Sequence, residues 1–185
     1  MHAGAGYGFK QLLLLFLISS ELPNIQTRST DFVCNARVRR NMNNLKDLEV
    51  AMVGCSGSDQ LPSTLQLPCV GILKASWDQK SLQQKHAEVK WGLQVLLDSV
   101  GRVRELAKLS CQSSLLERLK HRVKNNLHIV TDLDTMGEEE AAVSDPNPDC
   151  LGQRSNSLTQ VLHVYDRLLR GKLEWLFLDL QNSCL

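Results

Sequence analysis

The residues whose chemistry is easiest to read in this chain are its six cysteines: Cys34, Cys55, Cys69, Cys111, Cys150 and Cys184. None stands in a C-x-x-C pair or beside a histidine cluster, so metal binding and dithiol exchange lack a motif. An even count after a secretory leader points to three structural disulfides, for which 15 pairings exist on paper. The five histidines show no H-E-x-x-H or other ligand spacing. Gly4, Gly6 and Gly8 imitate a phosphate-binding loop only by letter, because no strand-to-helix turn surrounds them. No Ser/His/Asp or Cys/His arrangement can be assembled from the spacing. Catalytic, cofactor and metal residues are therefore not assigned, and the chain reads as a non-enzyme.

The leader rests on a short segment with Lys10 as its one strong base, followed by the apolar run Leu12-Leu13-Leu14-Leu15-Phe16-Leu17-Ile18. Ser19-Ser20 supply small residues and Pro23 breaks the pattern, which gives a signal peptide over 1–20 and a mature domain over 21–185. The run is too short to span a bilayer, and no later run reaches that length. Lys+Arg number 21 and Asp+Glu 20, a formal net charge of +1, so nothing argues for nucleic acid or an anionic membrane as partner. The expectation is a secreted monomer that inserts into no membrane.

Four amphipathic stretches must carry these cysteines. Cys34, Val38, Met42, Leu45, Leu48 and Met52 recur at helical spacing, with Gly54 as the stop, and predict a helix over roughly 32–53. Val89, Leu93, Leu96, Val100 and Val103 predict a second over roughly 80–108. Leu115, Leu116, Leu119, Val123, Leu127 and Val130 predict a third over roughly 112–131, whose other side is basic through Arg118, Lys120, Arg122 and Lys124. Leu158, Leu162, Tyr165, Leu169, Leu173, Leu176 and Leu180 predict a fourth over roughly 157–182. A second line on it, Val164, Leu168, Trp175 and Leu178, is either covered core or a partner surface. Gly171, between Arg170 and Lys172, costs roughly 1 kcal/mol against Ala in a helix interior and needs a reason. Packing against a crossover and the approach of a partner's loop are both open.

The links between the first and second and between the third and fourth stretches are long, while the middle one is short. A short link makes neighbours antiparallel; long links return the chain to its starting end. The fold class is thus all-α, a long-chain up-up-down-down four-helix bundle with two long crossovers. That topology selects a cysteine pairing. Cys34 and Cys184 share one pole, Cys55 and Cys111 the other, and Cys69 and Cys150 lie midway along the crossovers. The expected disulfides are Cys34–Cys184, Cys55–Cys111 and Cys69–Cys150.

Cys34-x-x-Arg37-Val38 at the first helix and Leu168-Leu169-Arg170-Gly171-Lys172 in the fourth resemble the erythropoietin and thrombopoietin family of haematopoietic cytokines. Cys111-Gln112-Ser113-Ser114-Leu115-Leu116, and the Cys55 to Cys111 spacing with Pro68 and Trp77 between, resemble the thrombopoietin branch. The erythropoietin branch instead closes a small loop just after the first helix. The absence of a long carbohydrate-bearing tail suggests a non-mammalian vertebrate source.

The resemblance implies a secreted ligand that joins two copies of a single-pass, thrombopoietin-type cytokine receptor, activating JAK–STAT signalling and thrombocyte (platelet) production. The alternatives are an erythropoietin-type ligand and, more distantly, a secreted helical carrier of an apolar ligand. One receptor face would join the first and fourth helices and the first crossover; carried over by position it holds Arg37, Pro68, Arg170, Gly171 and Lys172. Leu168 and Trp175 would add apolar surface beside Lys172, whose ammonium would meet an acidic receptor residue. The other face, on the first and third helices, would hold Lys124 and Arg118. Asn35 and Asn41 depart from the Asp and Lys that are common in the family.

Overall fold

The computed structural model describes residues 29–133, 153–181 and 184. The expected leader, Cys150 and Glu138-Glu139-Glu140 lie outside those residues.

The first helix exists, but in three pieces: α1 (Ser29–Cys34), α2 (Ala36–Met42) and α3 (Lys46–Val53). Asparagine makes the breaks. The Asn35 side chain caps α2 by accepting from the Arg37 and Val38 amides at 3.0 and 3.2 Å. Asn44 likewise accepts from the Lys46 amide at the head of α3. Short polar side chains that bond the local backbone compete with the continuing helix and win here.

The second helix, α5 (Leu82–Leu106), opens on a Ser81/Gln84 capping box, and the third, α6 (Ser110–Asp132), follows a three-residue turn. His86 near the start of α5 bonds the Val130 carbonyl near the end of α6, as antiparallel neighbours require. The fourth helix starts as α7 (Leu158–Leu168), passes through a π turn (Leu169–Leu173) and continues as α8 (Glu174–Leu180).

Helix directions follow from what the ends touch. Cys34 of α1 is bonded to Cys184 and Cys55 after α3 to Cys111 of α6, so the first helix starts where the fourth ends and ends where the third starts. Ser29 also donates to Asp132 at the end of α6. These contacts give the expected up-up-down-down order. Cys69 is disulfide-bonded as well; its expected partner Cys150 lies outside the described residues.

The first crossover and the end of the second are more ordered than their sequence implied. β1 (Gln60–Gln66) in the first pairs antiparallel with β2 (Arg154–Ser157) in the second, with an irregularity between Gln60 and Leu65. Leu61, Leu65 and Leu67 turn inward from this two-stranded sheet, and a short helix α4 (Lys74–Asp78) follows. The sheet starts the fourth helix: Asp59 accepts the Leu158 and Thr159 amides at 2.8 and 2.7 Å. Gln112, buried on α6, donates to the Ser58 and Gln60 carbonyls and ties the first crossover to the third helix. The core runs the length of the bundle and includes the fully buried Tyr165, which accepts from Asn126.

Candidate functional site

Arg170-Gly171-Lys172 lies inside the π turn. The Glu174 amide reaches back to the Leu169 carbonyl, five residues away, where an α-helix would bond four back. Such single π turns are rare and recur at functional sites. The extra residue in the turn changes the phase of everything after it, so a uniform 100° step no longer says where side chains point.

Lys172 departs most from the expected site. The sequence put its ammonium outward toward a partner; instead it is 2% exposed. Its Nζ lies 2.5 Å from Glu88 Oε1 on α5 and donates to the Cys69 carbonyl at 2.6 Å. Its acid is internal. A Cβ on Gly171 would stand 3.3 Å from Ile72 Cδ1 and 4.0 Å from the Val70 carbonyl, so the first crossover occupies the space over the glycine. Close packing against the crossover supplies the reason the glycine needed.

The rest of the first expected face divides in the same way. Leu168 and Pro68 are buried, and both approach α5 at Gly92, where a Cβ would meet them at 3.6 and 3.5 Å. Leu168 and Val164 of the second apolar line are therefore core, whereas Leu178 is exposed. Arg37 is exposed, and Arg170 is 69% exposed with an ion pair to Asp166 at 2.7 Å. Trp175 is half-buried. It meets Trp77 of α4 edge-on at 6.3 Å between ring centroids, and the Lys74 ammonium stands 5.7 Å from its ring. With Leu73, 78% exposed, these side chains make an apolar and cationic ridge where crossover and fourth helix meet.

Two groups that the sequence left on the surface or unremarked hold this region. Arg39 is 2% exposed and grips Glu174 through Nε and Nη2, joining α2 to α8. Glu88, 5% exposed, takes Lys172 on one oxygen and Lys80 on the other. Nothing local in the sequence marks either as buried: Arg39 stands near Arg37 and Arg40, and Glu88 between His86 and Lys90.

On the second expected face Asp47 of α3 receives both Arg118 and Arg122 of α6 at 2.7 Å. Lys124, two residues after Arg122 and about 200° round α6 from it, is exposed. These pairs are open to solvent, where an ion pair contributes about 0–1 kcal/mol.

Among the described residues, three carboxyls are held below their usual range. Burial pushes Glu88 up, but the hydrogen bonds and charges of Lys172 and Lys80 outweigh it. At Asp47 slight burial acts upward and is overcome by Arg122 and Arg118. Asp59 is lowered chiefly by the Thr159 amide. A depressed carboxyl contributes stability that is complete above its unfolded pKa and lost as pH falls through the folded one. Thermal unfolding should thus be nearly flat from neutral to about pH 5 and fall progressively below about pH 4, with a shallower fall in Glu88→Gln. An unchanged slope in that variant would remove Glu88 from the account.

Between α3 and α7 lies a groove of about 430 Å³ lined by Glu49, Met52, Val53, Thr159, Leu162, His163 and Asp166. Among the described residues no cluster of His, Cys, Asp or Glu is placed to hold a metal, and no helix is long and apolar enough to cross a membrane.

The chain is similar to proteins named erythropoietin. That of Epinephelus coioides is 26% identical over 172 residues, covering 92% of this chain and 91% of the relative. That of Tetraodon nigroviridis is 26% identical over 151 residues, covering 80% and 82%. That of Rattus norvegicus is 23% identical over 170 residues, covering 88% of each. The family profile described as erythropoietin/thrombopoietin matches residues 31–185, from the first helix through the last disulfide. With that span and a disulfide-linked four-helix bundle, the chain belongs to the erythropoietin/thrombopoietin family of cytokines.

Proposed function

We propose that the protein is a secreted erythropoietin-type ligand that draws together two copies of a single-pass cytokine receptor and activates the tyrosine kinases they carry. The observation that carries this reading is the family match over residues 31–185, together with relatives all named erythropoietin. The first receptor face takes in the ridge of Leu73, Lys74 and Trp175, together with the exposed Arg170 and Arg37 that the resemblance carries over by position. Pro68, Leu168, Gly171 and Lys172 serve it from beneath by placing crossover and helix. The second face is the basic side of α6 around Arg118 and Lys124.

A second reading, a thrombopoietin-type ligand, is favoured by one feature: the Cys55–Cys111 bridge and the Cys111-Gln112-Ser113-Ser114-Leu115-Leu116 start of α6, where the resemblance to that branch lies. Factor-dependent cells carrying one receptor at a time separate the two. Growth on the erythropoietin receptor alone is expected; growth only on the thrombopoietin receptor supports the second reading, and growth on neither overturns both.

The two-face reading makes its own prediction. Arg118→Glu with Lys124→Glu should leave binding to one receptor nearly intact, abolish signalling and turn the protein into an antagonist. Arg122 still satisfies Asp47 in that variant, so the fold should persist. Normal signalling would reduce the basic side of α6 to a solvated face.

A further inference from the structure

We propose that Glu88 and Lys80 are positioning residues: with Lys172 they form an internal clamp that sets the first crossover over the π turn and so shapes the receptor ridge. The inference rests on the receptor reading for its functional half and on geometry alone for its structural half.

The clamp joins three parts of the chain at one carboxylate and a fourth through Lys172. Glu88 comes from α5, Lys172 from the π turn and Lys80 from the end of the crossover, and Lys172 also holds the crossover main chain at Cys69. Sheet bonding of the crossover ends at Leu67, whose amide donates to Gln153, and α4 begins at Lys74. The irregular stretch between them is where Lys172 grips. It carries Ile72, which rests on Gly171, and leads into Leu73 and Lys74 at the ridge. Lys80 stands 5.9 Å from the Trp77 ring, and Trp77 in turn abuts Trp175.

Packing alone does not call for this arrangement. A buried ion pair is often replaceable by apolar side chains without loss of stability, because desolvation offsets its attraction. What apolar side chains cannot supply is the directional bond from Lys172 to a main-chain carbonyl. That bond fixes where an otherwise irregular segment lies, and a pre-set segment spares the ordering cost at binding.

The experiment compares Glu88→Gln with the double variant Glu88→Leu/Lys172→Met. Three quantities are read: the unfolding midpoint, the nuclear Overhauser contact between the Ile72 δ-methyl and the Gly171 α-protons, and affinity for the receptor ectodomain that supports growth. Glu88→Gln should lower the midpoint, weaken the Ile72–Gly171 contact and reduce affinity about tenfold. The double variant should regain most of the midpoint while the contact and the affinity stay reduced. Affinity returning together with the midpoint would overturn the clamp as a positioning device. So would an Ile72–Gly171 contact unchanged in both variants. A wild-type protein that binds no receptor tested counts against the proposed function, and the methyl contact still decides the clamp.

Discussion

Replacing Cys34 and Cys184 together by alanine is expected to lower the unfolding midpoint by roughly 10–20 °C. The bridge spans 150 residues. Cross-linking a loop of that size removes about 5 kcal/mol of chain entropy from the unfolded state, and 1 kcal/mol moves the midpoint of a domain this long by about 2–4 °C. Cys55–Cys111 spans 56 residues and should contribute somewhat less, about 4 kcal/mol. The first bridge also has a local task that the second lacks. It ties α1, a six-residue helix far below the length at which an isolated helix persists, to the end of the fourth helix. The loss should therefore show as early melting of the first helix, with hydrogen exchange rising in residues 29–34 before the rest. A midpoint shift below about 3 °C would mean that the unfolded chain is already compact enough for the bridge to remove little entropy.

How much of this was legible in the sequence depends on whether the signal was local. Leucine periodicity placed all four helices, and loop lengths with cysteine positions gave the topology and the two bridges seen among described residues. The breaks in the first helix were signalled by Asn35 and Asn44, but an apolar stripe that continues through them argued the other way. β1 was written in the alternation of Leu61, Leu65 and Leu67, hidden by Pro62 and by its short partner. The π turn left no such trace beyond Gly171. Lys172 was misplaced because its ammonium was sent outward to a receptor acid, whereas the acid it meets, Glu88, lies inside. Glu88, Lys172 and Arg39 were illegible for a different reason. A buried charge is recognised by its partner: Glu174 lies 135 residues from Arg39 and Lys172 sits on another helix from Glu88, so only Lys80, eight residues before Glu88, was near.

Arg39→Met is expected to cost about 2–4 kcal/mol, less than breaking a fully buried ion pair because the Glu174 carboxylate left behind is 30% exposed. The guanidinium has two tasks. Its Nε and Nη2 hold the Glu174 carboxylate at 3.0 Å each. Its Nη1 donates to the Phe32 and Val33 carbonyls at 3.0 and 2.6 Å. Those carbonyls belong to the last turn of α1, which the break at Asn35 leaves without helical partners. One planar fork thus caps the first piece of the first helix and joins it to the fourth. Lysine cannot do both, so Arg39→Lys should keep the charge yet recover less than half of the loss. Removing the carboxylate left behind as well, in Arg39→Met/Glu174→Leu, should recover the ion-pair part and leave about 1–3 kcal/mol, chiefly for the Phe32 carbonyl, since Val33 keeps the Gln181 side-chain amide at 3.4 Å. Because Cys34 closes the same turn of α1, the Cys34–Cys184 deletion made in the Arg39→Met background should cost less than in the wild type, by about 0.5–3 kcal/mol. Chemical denaturation of the four proteins in that cycle measures the difference. Strict additivity would show that Arg39 and the disulfide hold α1 independently, and the capping role assigned to Nη1 would fail.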